Sequence, residues 1–263
     1  MIAPESRTSA AVRVYVLDTG LIECADYALY SPSAEPDTYQ EMSVSSYLIA
    51  HPKGLMLWDT GIADSIAAKP DGERLNDTHV FRVPKTLRTQ LEALGYAPAD
   101  VQQIGMSHMH IDHVGNLDLF PDAAVIMQQA EYDAAYGPHA EELAYIPETY
   151  AVLDRSRIRT VVGEHDVFGD GTVVTLPLPG HTPGHQGLLL DLPETGRLLV
   201  AGDLSYSVAD YAAGAVRKLN FDLGASRESI DAAKALEATG VKVWLHHDID
   251  AQRDIRTAPH FYA

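Results

Sequence analysis

Between Ser107 and His113 the chain sets three imidazoles and one carboxylate into six consecutive positions, His108-Met109-His110-Ile111-Asp112-His113. No other stretch limits the possible folds so tightly, because donors this dense are useful only when a rigid frame delivers them to one place. On an extended backbone alternate side chains share a face, so His108 and His110 point the same way. Asp112 continues that alternation, and His113 turns to the other side or enters the following loop. Zinc accepts imidazole nitrogen and carboxylate oxygen, and a catalytic site keeps one position open for water. The cluster therefore offers donors to two adjacent metal ions. A histidine-rich surface loop without metal is the plainer alternative, but Gly115 and Asn116 follow at once and later segments supply matching donors.

The frame is a mixture of strands and helices. The β-branched run at 12–18 predicts a first strand. The polar segment 23–42, with Pro32 and Pro36, predicts a long loop that could form a substrate rim or simply a mobile surface. Residues 43–50 and 55–59 predict a hairpin about the turn His51-Pro52-Lys53-Gly54. Leu87, Leu91 and Leu94 lie on one stripe of a helix over 84–94, with Pro84 near its start and Gly95 past its end. A buried strand at 104–107 then carries the histidine cluster at its carboxyl end. A strand at 124–127 follows, then helical segments at 129–136 and 141–153, interrupted around Gly137-Pro138, where a lid could sit. Strands are expected at 158–162, 173–176, 186–192, 198–201 and 241–245. Ser226 is expected to cap a helix running to about Ala238. No fixed-period repeat or linker breaks the chain, so the pattern is that of a pair of mixed sheets covered by helices, as one domain over 1–263 with its core at 12–248.

Composition excludes more than it assigns. A chain of 263 residues with 46% apolar and 21% charged residues can bury a substantial core. Its formal charge of −18 would repel phosphate backbones and anionic membrane surfaces, so nucleic acid and membrane are not expected partners. The single cysteine, Cys24, permits no intramolecular disulfide and reads as small apolar filler in a reducing compartment. Residues 1–11 lack the apolar run of a signal peptide, and no stretch approaches the ~20 apolar residues of a membrane span. A cytoplasmic protein is expected.

Three later strand ends complete a set of donors: His181 and His185 in Pro179-Gly180-His181-Thr182-Pro183-Gly184-His185, Asp203 after Gly202, and His246-His247-Asp248. His108, His110 and His181 can serve one ion; Asp112, His113 and His247 can serve a second. Asp203 can bridge them at the ~3.5–4 Å spacing of two-metal hydrolases. Nitrogen and carboxylate ligands suit zinc first, with iron, cobalt or manganese also compatible.

These four ordered motifs resemble those of the metallo-β-lactamase superfamily over most of the chain. The resemblance implies an αββα sandwich with a dinuclear site at one edge. His110 stands where flavodiiron proteins have glutamate, which disfavours oxygen reduction, and Asp203 is a bridging aspartate that true zinc β-lactamases lack. Glyoxalase II thioesterases share the ligand set. Tyr206, three positions after Asp203, is similar to the tyrosine of N-acyl homoserine lactonases that hydrogen-bonds the substrate carbonyl. The Tyr47-Leu48-Ile49 strand with Asp59-Thr60-Gly61, and the ending with Phe261-Tyr262, also resemble that branch. The resemblance thus implies a metal-dependent hydrolase that opens the lactone ring of N-acyl homoserine lactones and so quenches quorum signals, with Asp112, Asp203 and Tyr206 as catalytic groups. A homodimer is common among such proteins. Other lactones of pyridoxolactone type, esters, thioesters or phosphotriesters are the alternative substrates, and a non-catalytic metal-binding sensor is the alternative role. One departure is His246, where many relatives have glycine; the family pattern places the ligand directly before the aspartate, at His247. His185 and Asp59 are expected to support the site. His51, His79, His139, His165 and His260, which have no motif context, are expected on the surface or in packing.

Overall fold

The computed structural model describes residues 11–263; residues 1–10, most of the N-terminal stretch read above, lie outside the described residues. Two sheets face each other. The larger contains eight strands: β1 (Arg13–Cys24), β2 (Gln40–His51), β3 (Gly54–Trp58), β4 (Glu73–Arg74), β5 (His79–Arg82), β6 (Gln103–Gly105), β7 (Ala124–Gln128) and β8 (Ile158–Val161). They run in the order β4-β5-β1-β2-β3-β6-β7-β8. The smaller contains β9 (His165–Asp166), β10 (Val173–Pro177), β11 (Gln186–Leu192), β12 (Gly196–Val200) and β13 (Lys242–Trp244), ordered β13-β12-β11-β10-β9. Hairpin-linked strands pair antiparallel, while β3, β6, β7 and β8 pair parallel, as does β12 with β13.

Alternation along the strands builds the layers. Val14 and Val16 of β1 and Ile49 of β2 point between the sheets, where they meet Val173, Leu188, Leu190, Leu198 and Val200 of the second sheet. Tyr15 and Leu17, one residue out of phase, face the other way with Leu48 and Leu57. There they pack under helix α1 (Leu87–Ala93) through Leu87 and Leu91. Both faces of β1 are covered along Val14-Tyr15-Val16-Leu17, which is why that run is apolar at consecutive positions. The second sheet is covered through Leu199 and Leu178 by Ile230 and Ala233 of a long helix at Leu223–Glu237. Helix, sheet, sheet, helix is the αββα sandwich that the sequence implies. No helix among the described residues is long and apolar enough to cross a membrane.

Some expectations need correction. The loop expected at 23–42 is shorter, because β1 continues to Cys24 and β2 already begins at Gln40. Residues 141–153 do not form an α-helix: two 3₁₀ turns, Glu141–Leu143 and Pro147–Thr149, are separated by Ala144 in the left-handed region at φ 62°. Pro147 lacks the amide proton that a continuous helix would use there. The long helix is capped by Asp222, whose Oδ1 accepts from the amides of Gly224 at 2.8 Å and Ala225 at 2.9 Å. Ser226 sits inside its first turn and donates to the Asp222 carbonyl at 2.7 Å.

Candidate metal centre

The first histidine of the cluster, His108, lies three residues past the end of β6. His110 lies on extended backbone, and a short helix, α2 (Ile111–Val114), begins at once after it. Asp112 and His113 therefore leave the strand on a helical turn instead of continuing the alternation. Gly115 ends the turn where a Cβ would stand 2.3 Å from the Ala63 amide nitrogen and 2.6 Å from the Gly61 carbonyl. Only glycine lets the turn press so closely on the 59–63 loop.

Each candidate histidine has its outer nitrogen occupied, which fixes its tautomer. Nε2 of His110 donates to the Leu143 carbonyl at 3.1 Å, and Nδ1 of His247 donates to the Ser43 carbonyl at 2.9 Å. Nδ1 of His181 faces Oδ1 of Asn220 at 3.3 Å, and Asn220 in turn donates to Ser226 Oγ at 2.9 Å. Ser107 Oγ donates to Asp59 Oδ2 at 2.8 Å, so it accepts from Nδ1 of His108 at 3.0 Å. Nδ1 of His113 donates to the same Asp59 carboxylate at 3.0 Å. Asp59 reaches both from a left-handed backbone at φ 55°, a conformation that costs on the order of 1 kcal/mol. Partners of this kind are what holds metal-binding imidazoles in one orientation.

The inner nitrogens then converge. Nε2 of His181 lies 3.2 Å from Nε2 of His108 and 3.0 Å from Nδ1 of His110. Three lone pairs at that distance repel one another unless a cation lies between them. Zinc–nitrogen bonds of ~2.0–2.1 Å at tetrahedral angles would put such nitrogens roughly 3.3 Å apart. On the other side, Asp203 Oδ1 is 3.2 Å from His113 Nε2, and Oδ2 is 3.1 Å from His247 Nε2 and 3.5 Å from His181 Nε2. Asp112 Oδ2 lies 3.6 Å from His113 Nε2 and 3.4 Å from His247 Nε2. Nε2 of His113 and Oδ1 of Asp203 are buried and make no hydrogen bond. Burial holds His108 and His181 well below the usual imidazole range and takes His110 down to about 4. Burial also opposes charge on His113 and His247, but Asp112 and Asp203 outweigh it and push both up. One lobe thus presents neutral lone pairs and the other presents carboxylates facing imidazoles. Both features suit divalent cations, and the residues present fit a dinuclear centre.

All seven sequence-predicted metal-site residues come together here. Tyr206 joins them: its hydroxyl donates to Asp203 Oδ2 at 2.7 Å, and its ring stacks on His247 at 5.0 Å. His185 receives the Asp203 amide on Nε2 at 3.0 Å and gives Nδ1 to the Leu178 carbonyl at 2.8 Å, leaving no nitrogen for a metal. His246 packs against His113 at 4.5 Å between ring centroids, with both nitrogens buried and without a hydrogen bond. His51 is buried against Phe168, and His79 is buried against Tyr30, whereas His139 is exposed beside Glu142. The site opens into a cavity of about 860 Å³ whose walls include Tyr30, His79, Tyr145, Arg217, Leu219 and Phe221.

Sequence reasoning missed Glu131. Its carboxylate is fully buried; Oε1 accepts from the Met109 amide at 2.8 Å and the Tyr145 hydroxyl at 2.9 Å. Oε2 accepts from the Thr182 hydroxyl at 2.7 Å and the Gly184 amide at 3.1 Å. One side chain thereby ties the loop carrying His108 and His110 to the loop carrying His181. A Cβ on Gly184 would lie 2.1 Å from the Glu131 nitrogen, so the second glycine of Pro-Gly-His-Thr-Pro-Gly is there to admit this brace. That glycine was the available signal.

The sequence profile of the family described as "Metallo-beta-lactamase superfamily" matches residues 39–249. The chain belongs to the metallo-β-lactamase superfamily. Within that superfamily it is 33% identical to the N-acyl homoserine lactonase AttM of Azorhizobium caulinodans, over 95% of this chain and 98% of that one. It is 29% identical to the N-acyl homoserine lactonase AiiA of Bacillus thuringiensis subsp. kurstaki, over 90% of this chain and 93% of that one. Among solved structures, a quorum-quenching N-acyl homoserine lactone lactonase superposes with a TM-score of 0.81 at 25% identity, covering 97% of this chain and 99% of that one.

Proposed function

We propose that this metallo-β-lactamase-fold protein hydrolyses the lactone ring of N-acyl homoserine lactones, using two divalent ions, zinc by the nature of the donors. The observation that carries the reading is two donor lobes joined through Asp203, with the Tyr206 hydroxyl beside the joint and a large cavity in front. Relatives bearing the lactonase name over nearly the whole chain support it. In this reading His108, His110 and His181 hold one ion, Asp112, His113 and His247 hold the other, and Asp203 serves both. When bound, such ions supply an acidified water as nucleophile and polarise the carbonyl.

The reaction adds water across the acyl carbon–ring oxygen bond: the acyl carbon gains hydroxyl, and the ring oxygen leaves with a proton as the free alcohol. The Tyr206 hydroxyl swings its proton from Asp203 to the carbonyl oxygen and stabilises the negative charge that grows there. Asp112 and Asp203 both line the cavity, and one of these two carboxylates carries the proton to the departing ring oxygen. Tyr30 from the 23–42 segment and residues 141–148 from the 129–153 segment line the cavity and form the substrate rim in this reading. Cytoplasmic location, from the single buried cysteine, and pairing of two copies, from the resemblance, belong to the same proposal. A panel assay tests it. Homoserine lactones with short and long acyl chains should be opened faster than S-lactoylglutathione, aryl esters or a phosphotriester, with two equivalents of metal per chain. Faster turnover of the thioester or the phosphotriester would overturn it.

A further inference from the structure

Arg217 is a cation at the cavity wall that takes no part in the hydrolytic steps above. It lies in the connection between helix α4 (Val208–Ala213) and the helix at Leu223–Glu237. Nε donates to the Leu29 carbonyl at 3.0 Å, Nη1 donates to the Tyr206 hydroxyl at 3.1 Å, and the guanidinium carbon sits 4.3 Å above the Tyr30 ring. None of the ion pairs among the described residues includes it. Arg217 is half-buried at the cavity wall, so its guanidinium gives up part of its hydration without an ion pair in return, a cost that an apolar side chain would not carry. Its position is therefore not explained by stability.

The contact with Tyr206 explains it. A guanidinium has only donors, so the phenol oxygen must accept from Arg217. The phenol proton then has to point away from the guanidinium, toward Asp203, where it lies in this structure, or toward a substrate oxygen beside it. We propose that Arg217 is a positioning residue that holds the Tyr206 oxygen and directs its proton to the reacting carbonyl. A donated charge also makes the phenol a stronger hydrogen-bond donor. The 25–39 connection completes the device: Leu29 anchors the guanidinium, Tyr30 lies under it, and the Tyr27 hydroxyl donates to the Tyr206 carbonyl at 2.9 Å. The inference rests on the lactonase reading, in which Tyr206 serves the substrate carbonyl.

A double-mutant cycle on the metal-loaded protein tests it, with Arg217→Met, Tyr206→Phe and the pair assayed on an acyl homoserine lactone. Arg217→Met should lower kcat roughly 10- to 100-fold, the scale of a hydrogen bond to a charged group, with little change in KM or metal content. In the Tyr206→Phe background the same substitution should have almost no further effect. Arg217→Lys, which keeps a charged donor, should recover part of the loss. An equal loss in both backgrounds would overturn the inference, since the guanidinium would then act on substrate directly; so would no loss in either. If Tyr206→Phe alone keeps full activity, the role of Tyr206 fails first, and that outcome is distinct from additivity. If Arg217→Met does not fold, the cycle run with Arg217→Lys gives the same discrimination.

Discussion

Tyr206 sits where a single atom can be tested. Removing its hydroxyl leaves Asp203 Oδ2 still facing His247 at 3.1 Å, so the metal donors keep their places. Tyr206→Phe is expected to lower kcat by ~10²–10³, the usual loss for one oxyanion donor, with two ions still bound. Steady-state kinetics beside metal analysis by mass spectrometry checks both halves. The neighbouring pair His246-His247 offers a second test. His247 Nε2 faces both Asp203 and Asp112, whereas among the described residues neither His246 nitrogen has a hydrogen-bond or ion-pair partner. His247→Ala should lose an ion; His246→Ala should retain both and shift the melting temperature only slightly, because it removes two unpartnered buried nitrogens along with its packing. Retention of both ions in His247→Ala would reverse the assignment. The residues proposed as ligands were legible in the sequence because each lies in a short motif at a strand end, where spacing groups them. Arg217 and Glu131 were not legible: each stands alone in its stretch, and only the folded chain brings its partners to it.

Elements show a different limit. The segment at 141–153 carries apolar residues that read as a helix, yet its tyrosines are spent on distant partners: Tyr145 donates to Glu131, and Tyr150 donates to the Ala135 carbonyl at 2.7 Å. Those long-range bonds, with Pro147 and Ala144, outweigh local propensity and leave two short turns in the cavity wall. The first turn of helix α3 (Gln129–Ala135) carries the brace itself. Each Glu131 oxygen accepts one backbone amide, Met109 on one side and Gly184 on the other. A glutamine there would turn its NH₂ toward one of those amides in either orientation, since its two ends differ. Each buried donor left without an acceptor costs about 1–3 kcal/mol. Glu131→Gln is therefore expected to destabilise the fold by about that amount, read from the urea midpoint, and Glu131→Ala by more. Both should release metal to a chelator faster than the parent, because the loops holding His108, His110 and His181 lose their common tie. An unchanged release rate would show that the two loops are held independently.

For the whole molecule, the sandwich and the metal centre rest on different forces, and this sets what happens when the ions are removed. The inter-sheet core of Val14, Val16, Ile49, Trp58, Leu188 and Leu198 is apolar and fully buried, and it owes nothing to a cation. Each such side chain contributes about 1.5–3 kcal/mol through burial. The site is the opposite case: lone pairs 3.0–3.2 Å apart and carboxylates packed on imidazoles, in a chain whose formal charge is already −18. Ions that bind only the folded chain stabilise it in proportion to the logarithm of their free concentration over Kd. Excess chelator should therefore abolish lactone hydrolysis and lower the melting temperature, while the far-ultraviolet circular dichroism keeps its mixed strand and helix signature. Adding zinc back should restore turnover and melting temperature together. Loss of the dichroism signal with the metal would mean that the ions hold the sandwich as well as the site; undiminished turnover after stripping would remove them from the reaction.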